Sequence, residues 1–96
     1  MARLETLRAQ RNELLRIAAR HGVSDIRVFG SVARGEERDD SDVDFLVKIA
    51  DGRSLFDLVR LYDDFEEALG QPVDIVTEGG VSPLLRDQIF AEAVPL

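Results

Sequence analysis

Gly30-Ser31-Val32-Ala33-Arg34-Gly35-Glu36-Glu37-Arg38-Asp39-Asp40-Ser41-Asp42-Val43-Asp44 is the stretch whose reading decides the fold. Immediately before it, Ile26-Arg27-Val28-Phe29 reads as a short strand that Gly30 ends. Ser31 suits the cap of a short helical turn through Val32-Ala33-Arg34, closed by Gly35. Residues 36–41 are uniformly polar and read as a loop. Beyond it Val43, Phe45, Val47 and Ile49 alternate with Asp44, Leu46 and Lys48. That is a strand with one apolar face, and Leu46 makes the other face apolar in part.

Working outward, Leu4, Leu7, Leu14, Leu15 and Ala18 share a helical stripe that Arg11 interrupts. A helix is predicted over about 3–20, ended by His21-Gly22. Ser54 and Asp57 have the spacing of a capping box. The helix behind it is predicted to run to Leu69, with Leu55, Leu58, Val59, Tyr62, Phe65 and Leu69 inward and Gly70 as the stop. Pro72 leads into a third strand, Val73-Asp74-Ile75-Val76-Thr77. Gly79-Gly80 is a joint, and Ser82-Pro83 suit the start of a last helix reaching about Glu92. The order αβ(α)βαβα predicts an α/β (α+β) domain, with a sheet of about three strands covered by helices. Neither a repeat nor a linker divides residues 1–96, so one domain is expected.

Composition removes several classes of function. The formal charge is -7, which disfavours a protein that grips nucleic acid through phosphate neutralisation. Cysteine is absent, which excludes disulfides, zinc–thiolate sites and thiol catalysis, and one histidine excludes a polyhistidine metal site within the chain. No apolar run approaches the roughly 20 residues of a membrane span. Nothing in Met1-Ala2-Arg3-Leu4-Glu5 resembles a secretion signal, so a cytoplasmic location is expected. The charge is also uneven. Arg3, Arg8, Arg11, Arg16 and Arg20 face only Glu5 and Glu13 in residues 1–20, whereas the acids crowd into residues 36–78.

Three of those acids carry chemistry. Asp42 and Asp44, one pleat repeat apart, point to the same side of their strand. Two such carboxylates suit a hard cation like Mg²⁺, which takes oxygen ligands and leaves room for substrate phosphates. Asp74 points away from Val73 and Ile75 in the third strand. If the two strands are neighbours, three carboxylates converge, and their mutual repulsion is costly without cations. Gly30 lets backbone approach a ligand closely, Ser31 opens a helical turn whose free N–H groups suit phosphate, and Arg34 adds a positive charge one turn along. Two look-alikes fail. Gly30 and Gly35 have Walker A spacing, but Glu36-Glu37 stands where Lys-Ser/Thr is required. Asp40-Ser41-Asp42-Val43-Asp44 imitates an EF-hand loop, but Phe45 occupies the glycine position.

Gly30-Ser31, ten intervening residues, then Asp42-Val43-Asp44 resembles the signature of the polymerase-β-like nucleotidyltransferase superfamily. The continuation Ala33-Arg34-Gly35-Glu36 and the later Val73-Asp74-Ile75-Val76 resemble its minimal, MNT-type branch. The resemblance implies a mixed sheet flanked by helices. It implies that Asp42, Asp44 and Asp74 are catalytic and hold two Mg²⁺ ions, and that Gly30, Ser31 and Arg34 meet the phosphates of ATP. It further implies AMP transfer to a tyrosine hydroxyl of a partner, a HEPN ribonuclease toxin, by an antitoxin that forms a hetero-oligomer with it. Two other functions compete: nucleotidyl transfer to a small molecule or another protein, and a non-catalytic antitoxin acting by contact. The three aspartates weigh against the contact-only reading. The lack of an acceptor-binding domain weighs against a free-standing small-molecule enzyme. His21 reads as a helix-end residue and Tyr62 as packing rather than an acceptor.

Overall fold

The computed structural model describes residues 3–36 and 42–96. The polar loop expected over 36–41 therefore lies, apart from Glu36, outside the described residues. The elements are α1 (Leu4–Ala9), α2 (Arg11–Arg20), β1 (Val23–Phe29), α3 (Gly30–Arg34), β2 (Val43–Ile49), α4 (Leu55–Leu69), β3 (Val73–Thr77), a 3₁₀ turn (Glu78–Gly80), α5 (Arg86–Glu92) and β4 (Val94–Pro95). Among the described residues no helix is long and apolar enough to cross a membrane.

The strands lie in the order β3-β2-β1-β4. β2 pairs antiparallel with β1 and parallel with β3, so the sheet is mixed. α4 is the crossover that a parallel pair requires. The apolar alternation of β2 now has its explanation. Val43, Phe45 and Val47 are fully buried with Ile26 and Val28 of β1 and Val73 and Ile75 of β3. Against them pack Leu7 of α1, Leu14, Ile17 and Ala18 of α2, and Leu61 and Phe65 of α4. Phe45 and Phe65 meet edge to face, ring centres 5.1 Å apart at 66°. The opposite face carries a smaller cluster of Phe29, Leu46 and Val81, with Val76, Ile89, Phe90 and Ala93 at its margin. Leu46, the apolar residue on the polar side of β2, is fully buried there.

Several expectations change. The first helix is two helices that meet at Gln10, whose N–H bonds to Leu7 C=O in a tighter turn. The break falls beside Arg11, where the apolar stripe is interrupted. Leu7 and Leu14 are fully buried on either side of it, while Leu15, placed on the stripe, is exposed and Ile17 takes its place. β1 begins at Val23, because a register irregularity between Val23 and Asp25 absorbs polar Ser24 and lets the strand continue.

The capping box of Ser54 and Asp57 is present, and Gly70 closes α4 in the left-handed region. Leu55 and Val59, expected inward, are 74% and 50% exposed, and Leu61 is buried instead. Val59 stands roughly 120° round the helix from Phe65, whereas Leu58, Leu61 and Tyr62 lie within about 60° of it. Ser82-Pro83 start a turn rather than a helix: Leu85 N–H bonds to Ser82 C=O, and α5 begins at Arg86. The fourth strand was not expected. Val94–Pro95 pair with Val28 and Arg27, and Leu96 N–H adds a bond to Ile26 C=O. Proline is compatible with this position because β4 is an edge.

Phe65→Ala removes the ring that fills the space between α4 and the sheet. It is expected to lower the unfolding free energy by about 3–5 kcal/mol in urea titration, which a single small core tolerates poorly.

Candidate functional site

Strand direction assembles the candidate residues. β1 runs antiparallel to β2, so the end of β1 lies beside the start of β2, with Phe29 opposite Asp44. β3 runs parallel to β2, so its start lies there too, with Asp74 opposite Asp44. Registered residues project to the same face, which makes Asp44 and Asp74 neighbours on the side away from the main core. Two of the three carboxylates expected to converge, Asp44 and Asp74, are therefore brought side by side by two strand pairs meeting at one residue, while Asp42 lies just outside the pairing.

Gly30 is the next consequence. The chain leaves β1 at Phe29 and turns into α3 through Gly30 at φ 74°. Its missing side chain matters twice. The left-handed conformation disfavours any other residue, and a Cβ there would collide with Asp44 Oδ2. Backbone and carboxylate are thus in direct contact. Ser31 does not cap α3 as expected. The helix begins at Gly30 with Phe29 as its cap, no side chain completes the cap, and Ser31 lies in the first turn. Gly35 closes the helix at φ 72°, as read from the sequence. Arg34 Nη1 donates to Glu92 Oε1 at 3.0 Å, and its Nε lies 3.4 Å from Glu36 Oε1. It therefore links α3 to α5 as well as facing the acids.

The electrostatics centre on Asp44. Partial burial pushes its carboxyl up to about 6 from an ordinary 3.8, the negative charges of Asp74 and Asp42 add to the effect, and Arg34 opposes it. Asp42 lies just before β2 and is exposed, and Asp74 is exposed on β3. The grouping is open: among the described residues no three His, Cys, Asp or Glu side chains close into a metal cage. The donor set is nonetheless one of anionic oxygens held against their mutual repulsion, which suits a hard cation rather than a soft one.

Sequence reading missed one contact. The Tyr62 hydroxyl accepts a hydrogen bond from Ile75 N–H at 2.9 Å, and has Asp74 Oδ1 and Ile75 C=O as acceptors, each at 3.1 Å. Burial pushes the phenol pKa up; the Ile75 N–H, donating to the phenol oxygen, opposes this and Asp74 reinforces it, so the hydroxyl stays a proton donor. No local pattern reveals this pair, since the two residues stand 12 positions apart, across the end of α4 and the turn into β3. His21, the C-terminal cap of α2, bonds through Nε2 to Asp64 Oδ2 at 2.7 Å, which ties α2 to α4 away from the acids.

The sequence profile of the nucleotidyltransferase domain family matches residues 7–96, and the chain belongs to that family. A protein of Methanocaldococcus jannaschii, named as a candidate protein adenylyltransferase, is 45% identical over 84 residues, 88% of this chain and 90% of its own length. The protein adenylyltransferase MntA of Thermococcus cleftensis is 39% identical over 75 residues, 78% of this chain and 76% of its own. Among solved structures, one described as a minimal nucleotidyltransferase superposes with a TM-score of 0.88 at 55% identity, covering 99% of this chain and 97% of that one. A toxin–antitoxin structure with AMP-PNP superposes at 0.75 and 24% identity, over 88% of this chain and 69% of that one. A tri-AMPylated Shewanella oneidensis HEPN toxin in complex with its MNT antitoxin contains a chain that superposes at 0.69 and 21% identity, over 92% and 69%. At those identities the last two likenesses concern the fold.

Two stability changes follow. Folded Asp44 keeps its proton up to about pH 6, whereas an unfolded aspartate releases it near 3.8. The folded state thus binds more protons in that window, and stability falls as pH rises through it. In EDTA at pH 7, Asp44→Asn is expected to raise the unfolding free energy by on the order of 1–2 kcal/mol after solvent screening, with the gain vanishing below about pH 4. Gly30→Ala is expected to lower it by about 2 kcal/mol, measured by urea titration, through strain and collision with Asp44.

Proposed function

We propose that this chain is a Mg²⁺-dependent adenylyltransferase that moves AMP from ATP to a tyrosine hydroxyl of a cognate HEPN ribonuclease toxin, acting in the cytoplasm as its antitoxin and in complex with it. The observation that carries the reading is the register of Asp44 with Asp74 beside the Gly30 turn. It is supported by the names of the relatives, which are protein adenylyltransferases, and by the folds shared with a nucleotide-bound toxin–antitoxin structure and an AMPylated HEPN toxin complex.

Asp42 and Asp44 would hold the metal, and Asp74 would complete the set. Bound Mg²⁺ supplies charge neutralisation of the triphosphate and of the attacking and leaving oxygens. The backbone at Gly30 and Ser31 would meet the phosphates, with the Asp44 carboxylate seated where a Gly30 side chain would otherwise stand. Arg34 adds positive charge beside them. Asp74 accepts the proton of the attacking hydroxyl as its oxygen bonds to the α-phosphorus, the bond to the β-phosphate oxygen breaks, and pyrophosphate leaves. Positioning and electrostatics supply most of the acceleration, since the protein itself forms no covalent bond. The elevated Asp44 pKa fits this reading. A carboxylate destabilised by partial burial and by neighbouring acids gains most when a cation arrives, and the cation turns an acidic patch into a receptor for an anionic nucleotide.

The test is incubation with ATP labelled at the α-phosphate, Mg²⁺ and the HEPN protein encoded beside this chain. Label is expected on a partner tyrosine, with Asp42→Asn lowering the transfer at least about a hundredfold. Full neutralisation of the partner by both Asp42→Asn and Asp44→Asn would overturn the catalytic reading in favour of contact inhibition.

A further inference from the structure

β3 is the outer strand of the sheet, and its free side is sealed by side chains rather than by another strand. Glu66 Oε2 accepts from Val73 N–H at 3.1 Å. Tyr62, one helical turn earlier on α4, accepts from Ile75 N–H and lies within reach of Ile75 C=O. An unpaired edge is a pairing hazard, and both residues blunt it. Tyr62 differs from Glu66 in one respect: its hydroxyl also reaches Asp74 Oδ1. The oxygen is pinned by the Ile75 N–H, so its single hydrogen has two acceptors, one on the backbone and one on the carboxylate.

We propose that Tyr62 is a positioning residue for Asp74, its hydroxyl holding Oδ1 so that the other carboxylate oxygen faces Asp44. This rests on the proposed role of Asp74 as a metal-binding carboxylate. Asp74 is exposed and on an edge strand, and among the described residues no other side-chain hydrogen bond holds it. A free carboxylate there samples several rotamers; one fixed by a donor on a packed helix does not. Partners of metal-binding side chains typically change metal affinity or activity about 10–100-fold when lost.

The test compares Tyr62→Phe with Glu66→Ala. Both unseal the β3 edge, but only the first releases Asp74. Three quantities are read: the melting temperature, the Mn²⁺ dissociation constant of the protein alone by electron paramagnetic resonance, and kcat and KM for label transfer from ATP to the HEPN protein. Both variants are expected to melt lower. Tyr62→Phe alone is expected to weaken Mn²⁺ binding about tenfold and to lower kcat about tenfold with KM for ATP unchanged. In an Asp74→Asn background Tyr62→Phe is expected to cost nothing further in Mn²⁺ binding. Equal Mn²⁺ constants for the two variants, or no Mn²⁺ binding by the wild-type chain, would reduce Tyr62 to an edge seal. Absence of label transfer by the wild-type chain sinks the proposed reaction instead, and the Mn²⁺ comparison still decides the role of Tyr62.

Discussion

Asp44 sits where two strand pairings cross, opposite Phe29 on one side and Asp74 on the other. Much of the molecule follows from holding that register. A slip of one residue along β2 would turn Asp44 into the core and Phe45 out to solvent. The slip is prevented from the other face, where Val43, Phe45 and Val47 are fully buried against α2 and α4. The apolar alternation that stabilises the fold is thus the same feature that aims the acids.

The two faces of the sheet divide the work. One is closed by helices over a large apolar cluster, and supplies rigidity. The other is apolar only in its middle, where Leu46, Phe29 and Val81 meet under α5. Its end is left to Asp44, Asp74 and the Gly30 turn. Arg34 crosses that end to Glu92, so the position of α5 is coupled to the residues around the acids. Arg27, on the same face, pairs with Glu78 at 2.7 Å and lies 5.2 Å from the ring centre of Phe90, which anchors the chain leading into α5.

The elements that were legible are those whose signals are local. Strand β2, helix α4 with its capping box, and the stops at Gly35 and Gly70 are written in alternation, cap residues and glycines that act within a few positions. Elements defined by distant contacts were not legible. β4 is two residues long and contains a proline, and it exists because Arg27 and Val28 offer it an edge. The division between α1 and α2 falls at Gln10, where neither a glycine nor a proline marks a stop. Leu55 and Val59 are as apolar as the residues that pack, but the sheet meets α4 over the arc centred on Leu61 and Phe65 and leaves them exposed.

The candidate site divides in the same way. By itself the sequence determined the residue types and their local directions: Asp44 on the polar side of a strand with Asp42 just before it, Asp74 on the polar side of another, and a glycine turn before them. The reason is that side-chain direction alternates strictly along a strand, so faces follow from spacing. Only the tertiary structure decided that the strands bearing Asp44 and Asp74 are parallel neighbours in register, that Gly30 must lack a Cβ because Asp44 occupies its place, and that Tyr62 reaches Asp74. Those facts depend on which strands pair and in what direction. Pairing is settled by how α4 and the apolar faces pack together, across separations that no local pattern spans.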